Sequence, residues 1–480
     1  MKRFAIAAAI LLSVFFAFTV MHKFQLVKRE ELRVERQNHR AYLSEIQLAQ
    51  ADGITFDTSN FNVPSPPPSE DAGLIYEHID AELKAHPFSK DEKDALWAAR
   101  RRRLPTPAEV ARLRSFVLGR ASLLKLIHQA VALKQCSFHT KWGRRHPYAD
   151  DFQSGIVIDK LPNVLTAESI VLAEDGDWEA AVRNQCSGFR IADHLLTTRG
   201  ASAHIRCTST VRTILTGIRI LTRLGAQKPS VLTAVQSSLS APLPTPRLSR
   251  TLQDEITFND IHLEMLRIVV LRSKNPDDIF IKNELMDWSP MRPFARNPRH
   301  WNSFMDANIA VLIHHLREDS KAADGPYPEV KAKFLMSRAE LRRYSSPDYF
   351  LVKELTSDDI DDMPSIGDED IGLLKSSANN DAEARVIQTA AVLLLWKLNH
   401  GAFPEKLSTL GPVPMDPFTS APLRYRREGA GFVVYSVGED GTFDGGSPGV
   451  RPKPYAPHFR FPTPAYELPR AEQTKKSGRV

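Results

Sequence analysis

The sequence predicts a mainly α protein: an N-terminal transmembrane helix, a multi-helix body, and a small C-terminal α+β module in which a long helix lies on an antiparallel hairpin. Three observations carry this expectation. Phe4 to Met21 is an eighteen-residue run without a charge. Apolar residues recur at three- and four-residue intervals in long segments between Asp71 and Arg342. Alternating β-branched and aromatic residues between glycine turns are confined to the stretch near residues 422–441. At 480 residues, 42% hydrophobic and 25% charged, the chain has room for two or three domains with ordinary cores.

The elements follow in order. Residues 1–22 read as an anchor, because eighteen uncharged, mostly apolar residues just suffice to cross a hydrocarbon core as a helix. A cleaved signal peptide would have a shorter apolar region and small residues at its exit, whereas the exit here is "AFTVMHKF". Residues 23–53 are rich in helix formers and read as a charged juxtamembrane helix ending near Gly53. Residues 54–70 contain "NVPSPPPSE", whose prolines remove backbone donors and favour an extended linker.

Residues 71–342 read as a helical domain. Ser89 with Glu92 forms a capping-box pattern, and Thr106, Pro107 and Glu109 start a helix expected to run to Gln135. Residues 343–378 read as an irregular acidic connector with seven carboxylates from Asp358 to Asp370, a solvated loop or a cation or partner site. Residues 447–480 are rich in proline and basic residues without apolar periodicity and are expected to be disordered.

Residues 379–446 form the terminal module. Asn380 with Glu383 reads as a cap for a largely buried helix, Ala384 to Leu398, which Gly401 closes. Pro404 opens a turn that buries Phe403, Leu407 and Leu410; "PLRYR" and "GFVVYSV" read as strands joined by "REGAG". Gly401, Phe403, Pro404, Asp416, Pro417, Phe418, Tyr425, Tyr435, Ser436, Gly438, Asp440 and Gly441 together make a pattern that resembles the C-terminal part of the major pseudopilin of type II secretion systems. That family binds calcium in its last loop, so the resemblance makes Asp440 and Asp444 calcium candidates by position. Two carboxylates with loop carbonyls and water can supply the six to eight oxygens calcium takes, while aspartates among glycines are also ordinary turn residues.

The resemblance covers the module alone. "KRFAIAAAI" lacks the family's glycine-phenylalanine cleavage step and the glutamate that follows it, so a filament subunit is not expected. The whole chain looks like membrane-anchored bacterial envelope proteins carrying this ending after a helical region, which implies an address and no activity. The implied address is the inner (cytoplasmic) membrane, with a single pass and the bulk periplasmic or extracytoplasmic. Six Lys/Arg between Lys23 and Arg40 outnumber Lys2 and Arg3, and by the positive-inside rule alone they place the body in the cytoplasm.

The charge distribution excludes one class of partner. Of the net +6, residues 1–41 and 447–480 each carry +5, leaving 42–446 at −4, so no nucleic-acid-binding face is expected. Cys136 with His139, and His204 with Cys207, have zinc-like spacing with Cys186 nearby, but i,i+3 residues share a helix face anyway and read as core. His314 and His315 are adjacent and point apart on a helix, and Asp177, Asp193 and His194 form polar combinations to which no acid–base role is assigned. No nucleophile-elbow, phosphate-loop or H-E-x-x-H motif occurs. Two functions stay open: a membrane-anchored structural, docking or binding protein whose partners are the membrane and other envelope proteins, and a hydrolase-like enzyme with dispersed His, Asp or Glu in the helical domain.

Overall fold

Residues 2–51 form one unbroken helix, α1 (Lys2–Ala51). No proline or glycine interrupts it, and it ends where Gly53 takes a positive φ of 83° and Ile54 N–H donates to the Ala49 carbonyl. The structure, a computed structural model, describes residues 2–62, 64–138, 143, 158–273, 291–344, 346–351, 366–441 and 456–463, without the side chains of 2–19, 292, 293, 347 and 366–370. Among the described residues no helix is long and apolar enough to cross a membrane. The uncharged Phe4–Met21 stretch is helical within α1, and its side chains up to residue 19 lie outside that description.

The helices that follow are α2 (Ala72–Ala85), α3 (Lys90–Ala99), α4 (Pro107–Gly119), α5 (Ala121–Ala132), α6 (Leu161–Glu174), α7 (Trp178–Ser187), α8 (Phe189–Leu195), α9 (Gly200–Leu224) and α10 (Pro229–Ser238). Next come α11 (Leu248–Arg272), α12 (Arg292–Ala295), α13 (Pro298–Ala322), α14 (Tyr327–Leu341) and α15 (Ile366–His400). The strands are β1 (Arg424–Glu428), β2 (Gly431–Tyr435) and β3 (His458–Phe461). The chain forms two compact units, each discontinuous in sequence: the first is Met1–Asp57, Ile256–Glu318 and Met336–Ile366, the second Thr58–Glu255, Asp319–Leu335 and Gly367–Val480.

In the first unit, α1 is joined to α13 through Asn38 and His39 and to α11 through Tyr42. Its interior includes Phe258, Ile261, Trp301, Met305, Ile309 and Ile313. Trp301 stacks on Phe304 at 5.5 Å between ring centroids and donates its indole N–H to the Arg267 carbonyl.

In the second unit one core runs from α2 to α10 and on through α15 and the sheet. The predicted capping box at Ser89/Glu92 forms, and the predicted helix start at Thr106–Pro107 carries a second one, with Glu109. The helix from Pro107 breaks at Arg120 instead of reaching Gln135. Arg120 donates to the carbonyls of His86 and Pro87 and to Glu92, and its guanidinium lies 5.2 Å from the centre of the Phe88 ring. These tertiary bonds hold it at φ −120°, outside helical geometry.

Two further expectations are corrected at the C-terminal module. The helix begins at Ile366, inside the stretch expected to be irregular, and Asn380 and Glu383 sit within it and cap nothing. Leu373, Leu374 and Ala378 are buried, so the extra turns have an apolar side to pack. Asn380 donates to the Thr208 carbonyl at 2.8 Å, and the Glu383 carboxylate accepts from Arg219 Nε at 2.7 Å. Polar residues three apart serve a cap or a lateral partner equally well, and α9 supplies the partner.

The hairpin is also larger than expected. The sheet has three antiparallel strands in the order β1-β2-β3, and β3 comes from the segment expected to be disordered. His458–Phe461 alternates so that Phe459 and Phe461 share the face of Phe432 and Val434, and Phe432 lies 6.2 Å from each aromatic partner. Burying those rings outweighs the ordering cost of a short segment. Gly431 permits the approach: a Cβ there would lie 2.0 Å from the Phe461 carbonyl oxygen.

Candidate binding groove

On α1, Val27, Glu30, Glu31, Val34, Glu35 and Asn38 fall at helical spacing and form one wall of a groove of about 480 Å³ in the first unit. His300, Ser303, Phe304 and Ala307 on α13 form the opposite wall, and Phe294, Asp348 and Tyr349 close it. The walls are fixed by polar bonds. Asn38 donates its amide N–H to Ser303 Oγ at 3.0 Å, and Asn308 donates to the carbonyls of Phe304 and Asp348, both at 2.8 Å. Phe294 stacks on Phe304 at 4.5 Å, making an aromatic floor.

Beyond the groove a part-buried polar cluster links α1 to α11 and α13. His39 Nδ1 lies 2.9 Å from Asp306 Oδ2, whose other oxygen is 2.8 Å from Arg267 Nη2. The Tyr42 hydroxyl faces Asp260 and Glu264 at 3.4 Å each, with Arg267 5.5 Å from its ring centre. Burial and then the Asp260 and Glu264 carboxylates hold the Tyr42 hydroxyl far above the usual phenol range, so it remains a proton donor.

The groove has a definite electrostatic character. Four carboxylates line it, from Glu30, Glu31, Glu35 and Asp348, and no Lys or Arg does so among the described residues. Glu30 is shared with Arg33, one turn further along α1. An acidic rim over an aromatic floor accepts hydrogen bonds from cations and buries apolar groups.

The titratable groups with large shifts lie elsewhere. Burial depresses His194, His204 and His315 to about 4, which leaves all three neutral at pH 7. Each is bonded within the fold: His194 to the Tyr76 hydroxyl and the Leu133 carbonyl, His204 to Thr251 and Ser377, His315 to Ser337. None of these three histidines lines the groove. The rings of His314 and His315 stand edge-on, and His314 turns to Glu45. Asp177 caps α7, and Asp193 accepts from Arg190.

The cysteines are free, and burial pushes their thiols up, Cys207 to about 12. His139 lies outside the described residues. Among the described residues no group of three His, Cys, Asp or Glu is placed to hold a metal ion.

Of the two calcium candidates, Asp440 is among the described residues. Asp440 is exposed on the turn after β2, where Gly438 and Gly441 have φ of 70° and 65°, and Asp444 lies outside the described residues. Next to Asp440, Glu439 is paired with Lys331 and Lys375, whose ammonium groups oppose a dication in that loop.

The motif residues that carry the resemblance bond to one another. Asp416, 1% exposed, accepts from Phe418 N–H, Ser436 Oγ and Val437 N–H at 2.8–3.0 Å, tying the D-P-F turn to the end of β2. Tyr425 donates its hydroxyl to the Pro404 carbonyl at 2.6 Å, and Gly401 closes α15 at φ 79°. Comparison with models of known protein families, with curated proteins and with solved structures finds no match to this chain.

Proposed function

We propose that the protein is a single-pass, membrane-tethered docking protein of the bacterial envelope, with its body on the extracytoplasmic side and its groove as the binding element. The observation that carries this reading is the continuity of α1: the helix containing the uncharged Phe4–Met21 stretch runs without a break into the wall of the groove. From Met21 to Ala51 the helix extends roughly 45 Å at 1.5 Å per residue, so it both holds the tether and presents the wall. The groove, with acidic side chains over an aromatic floor, suits the binding of a partner with cationic and apolar groups. The pseudopilin-like terminal module supports the extracytoplasmic side, as a folded cap whose motif residues are spent on internal bonds.

Two measurements test the reading together. Membranes washed in carbonate should retain the chain, and a reporter fused after Val480 should be active only outside the cytoplasm. Release into the wash would refute the tether, and a cytoplasmic reporter signal would refute the orientation.

A further inference from the structure

We propose that the groove receives a helix of a different membrane-tethered protein, running parallel to α1 and presenting Lys or Arg to the groove. This rests on the tether reading above. Val20, Phe24, Val27, Glu31, Val34 and Asn38 recur along α1 at alternating four- and three-residue steps, the spacing of a seam between two helices. Phe24 and Val34 are 67% and 42% exposed, and Val20 and Val27 lie on the same open line. Val20, Phe24, Val27 and Val34 make an apolar line interrupted by Glu31 and Asn38, and it leads into a groove floored by Phe294 and Phe304, which fits the apolar face of another helix.

Charge selects the occupant. Cations facing Glu31, Glu35 and Asp348 would meet three carboxylates beside Glu30, which Arg33 already holds, and, among the described lining residues, no Lys or Arg. A second copy of this chain fits poorly. Parallel pairing along the same seam sets Lys23 against Lys28 of the other copy and Glu30 against Glu35, like charges at both flanking positions.

Position narrows it further. Val27 and Asn38 stand about 9 and 26 Å beyond Met21 along the helix, which a neighbour with its own span reaches in the parallel sense.

The test uses the full chain in lipid nanodiscs and two synthetic helical peptides with the same Leu/Ala seam, one flanked by Lys and one by Glu. Fluorescence anisotropy should show the Lys peptide binding at least about 10-fold more tightly than the Glu peptide. The double variant Glu31→Lys/Glu35→Lys should reverse the preference, with its helical content checked by circular dichroism. Equal binding, no binding of the Lys peptide, or an unreversed preference would overturn the proposal. So would efficient disulfide trapping of a Val27→Cys dimer, which would assign the seam to a second copy. The carbonate wash reads the tether separately: a chain that washes free while its groove still prefers the Lys peptide sinks the tether alone, and a retained chain without that preference sinks the groove alone.

Discussion

Glu383→Ala should destabilise the second unit by about 3–5 kcal/mol, the cost of leaving one member of a buried ion pair uncompensated. Glu383 is 3% exposed and Arg219 fully buried, with Nε and Nη2 both 2.7 Å from one carboxylate oxygen. Arg102 stands 3.9 Å from the other oxygen. Without the carboxylate, the main compensation near Arg219 is the face of Phe459, 5.8 Å from its guanidinium carbon. A cation–π contact recovers only about 1–2 kcal/mol of such a loss.

For a unit of this size the melting temperature should fall by roughly 6–10 °C, read by calorimetry. Replacing both partners, Arg219→Met with Glu383→Leu, should restore much of the loss, because the burden is the unpaired charge. The acid limb supplies a second reading. Burial pushes Glu383 up, but Arg219 and Arg102 outweigh it and hold the group below the usual carboxylate range. Its folded pKa lies below its unfolded one, so the stabilisation is complete above the ordinary Glu value of about 4.3 and disappears as pH falls through the folded value. Wild type should therefore lose stability below about pH 4 more steeply than the double replacement does. A Glu383→Ala chain melting within about 1–2 °C of wild type, or a double replacement no more stable than the single, would show that the Arg219–Glu383 pair does not carry this stability.

Three further outcomes are expected. Asp416→Ala should cost about 3 kcal/mol by orphaning three donors, and faster hydrogen exchange at Val437 and Gly438 would report it; unchanged exchange counts against the knot. Gly431→Ala should displace β3 and expose His458–Phe461 to limited proteolysis, because the added Cβ meets the Phe461 carbonyl oxygen; continued protection would show that the strand pairing does not need the glycine. Because Lys331 and Lys375 already neutralise Glu439, wild-type melting curves with a chelator and with added calcium should coincide, and a rise with calcium that Asp440→Ala removes would assign the metal to this loop.

Sequence reasoning succeeded where the cause was local. The capping box at Ser89 needs only residues three apart, the helix start at Thr106 only a proline at the first position, and the turns at Gly401 and Gly438 only a positive φ. It failed where a distant partner decides. Asn380 and Glu383 have the chemistry of a cap, but Thr208 and Arg219 claim them. β3 is four residues inside a proline-rich segment, and only the rings of β2 make it a strand. The groove joins α1 to residues more than 250 positions away, so no contiguous pattern spells it. The available signal was the four-three spacing of Val27, Glu31, Val34 and Asn38, which reads first as an ordinary solvated helix.

An uninterrupted helix also transmits rotational phase. Each residue of α1 turns the chain by about 100°, so one residue inserted between Met21 and Val27 would swing the Val34 line by that angle relative to Phe4–Met21, while four would leave it only about 40° from its starting bearing. The direction in which the protein offers its acidic wall is therefore fixed by a residue count, in the manner of a key cut on a shaft, and length changes in this interval should matter more than changes of composition.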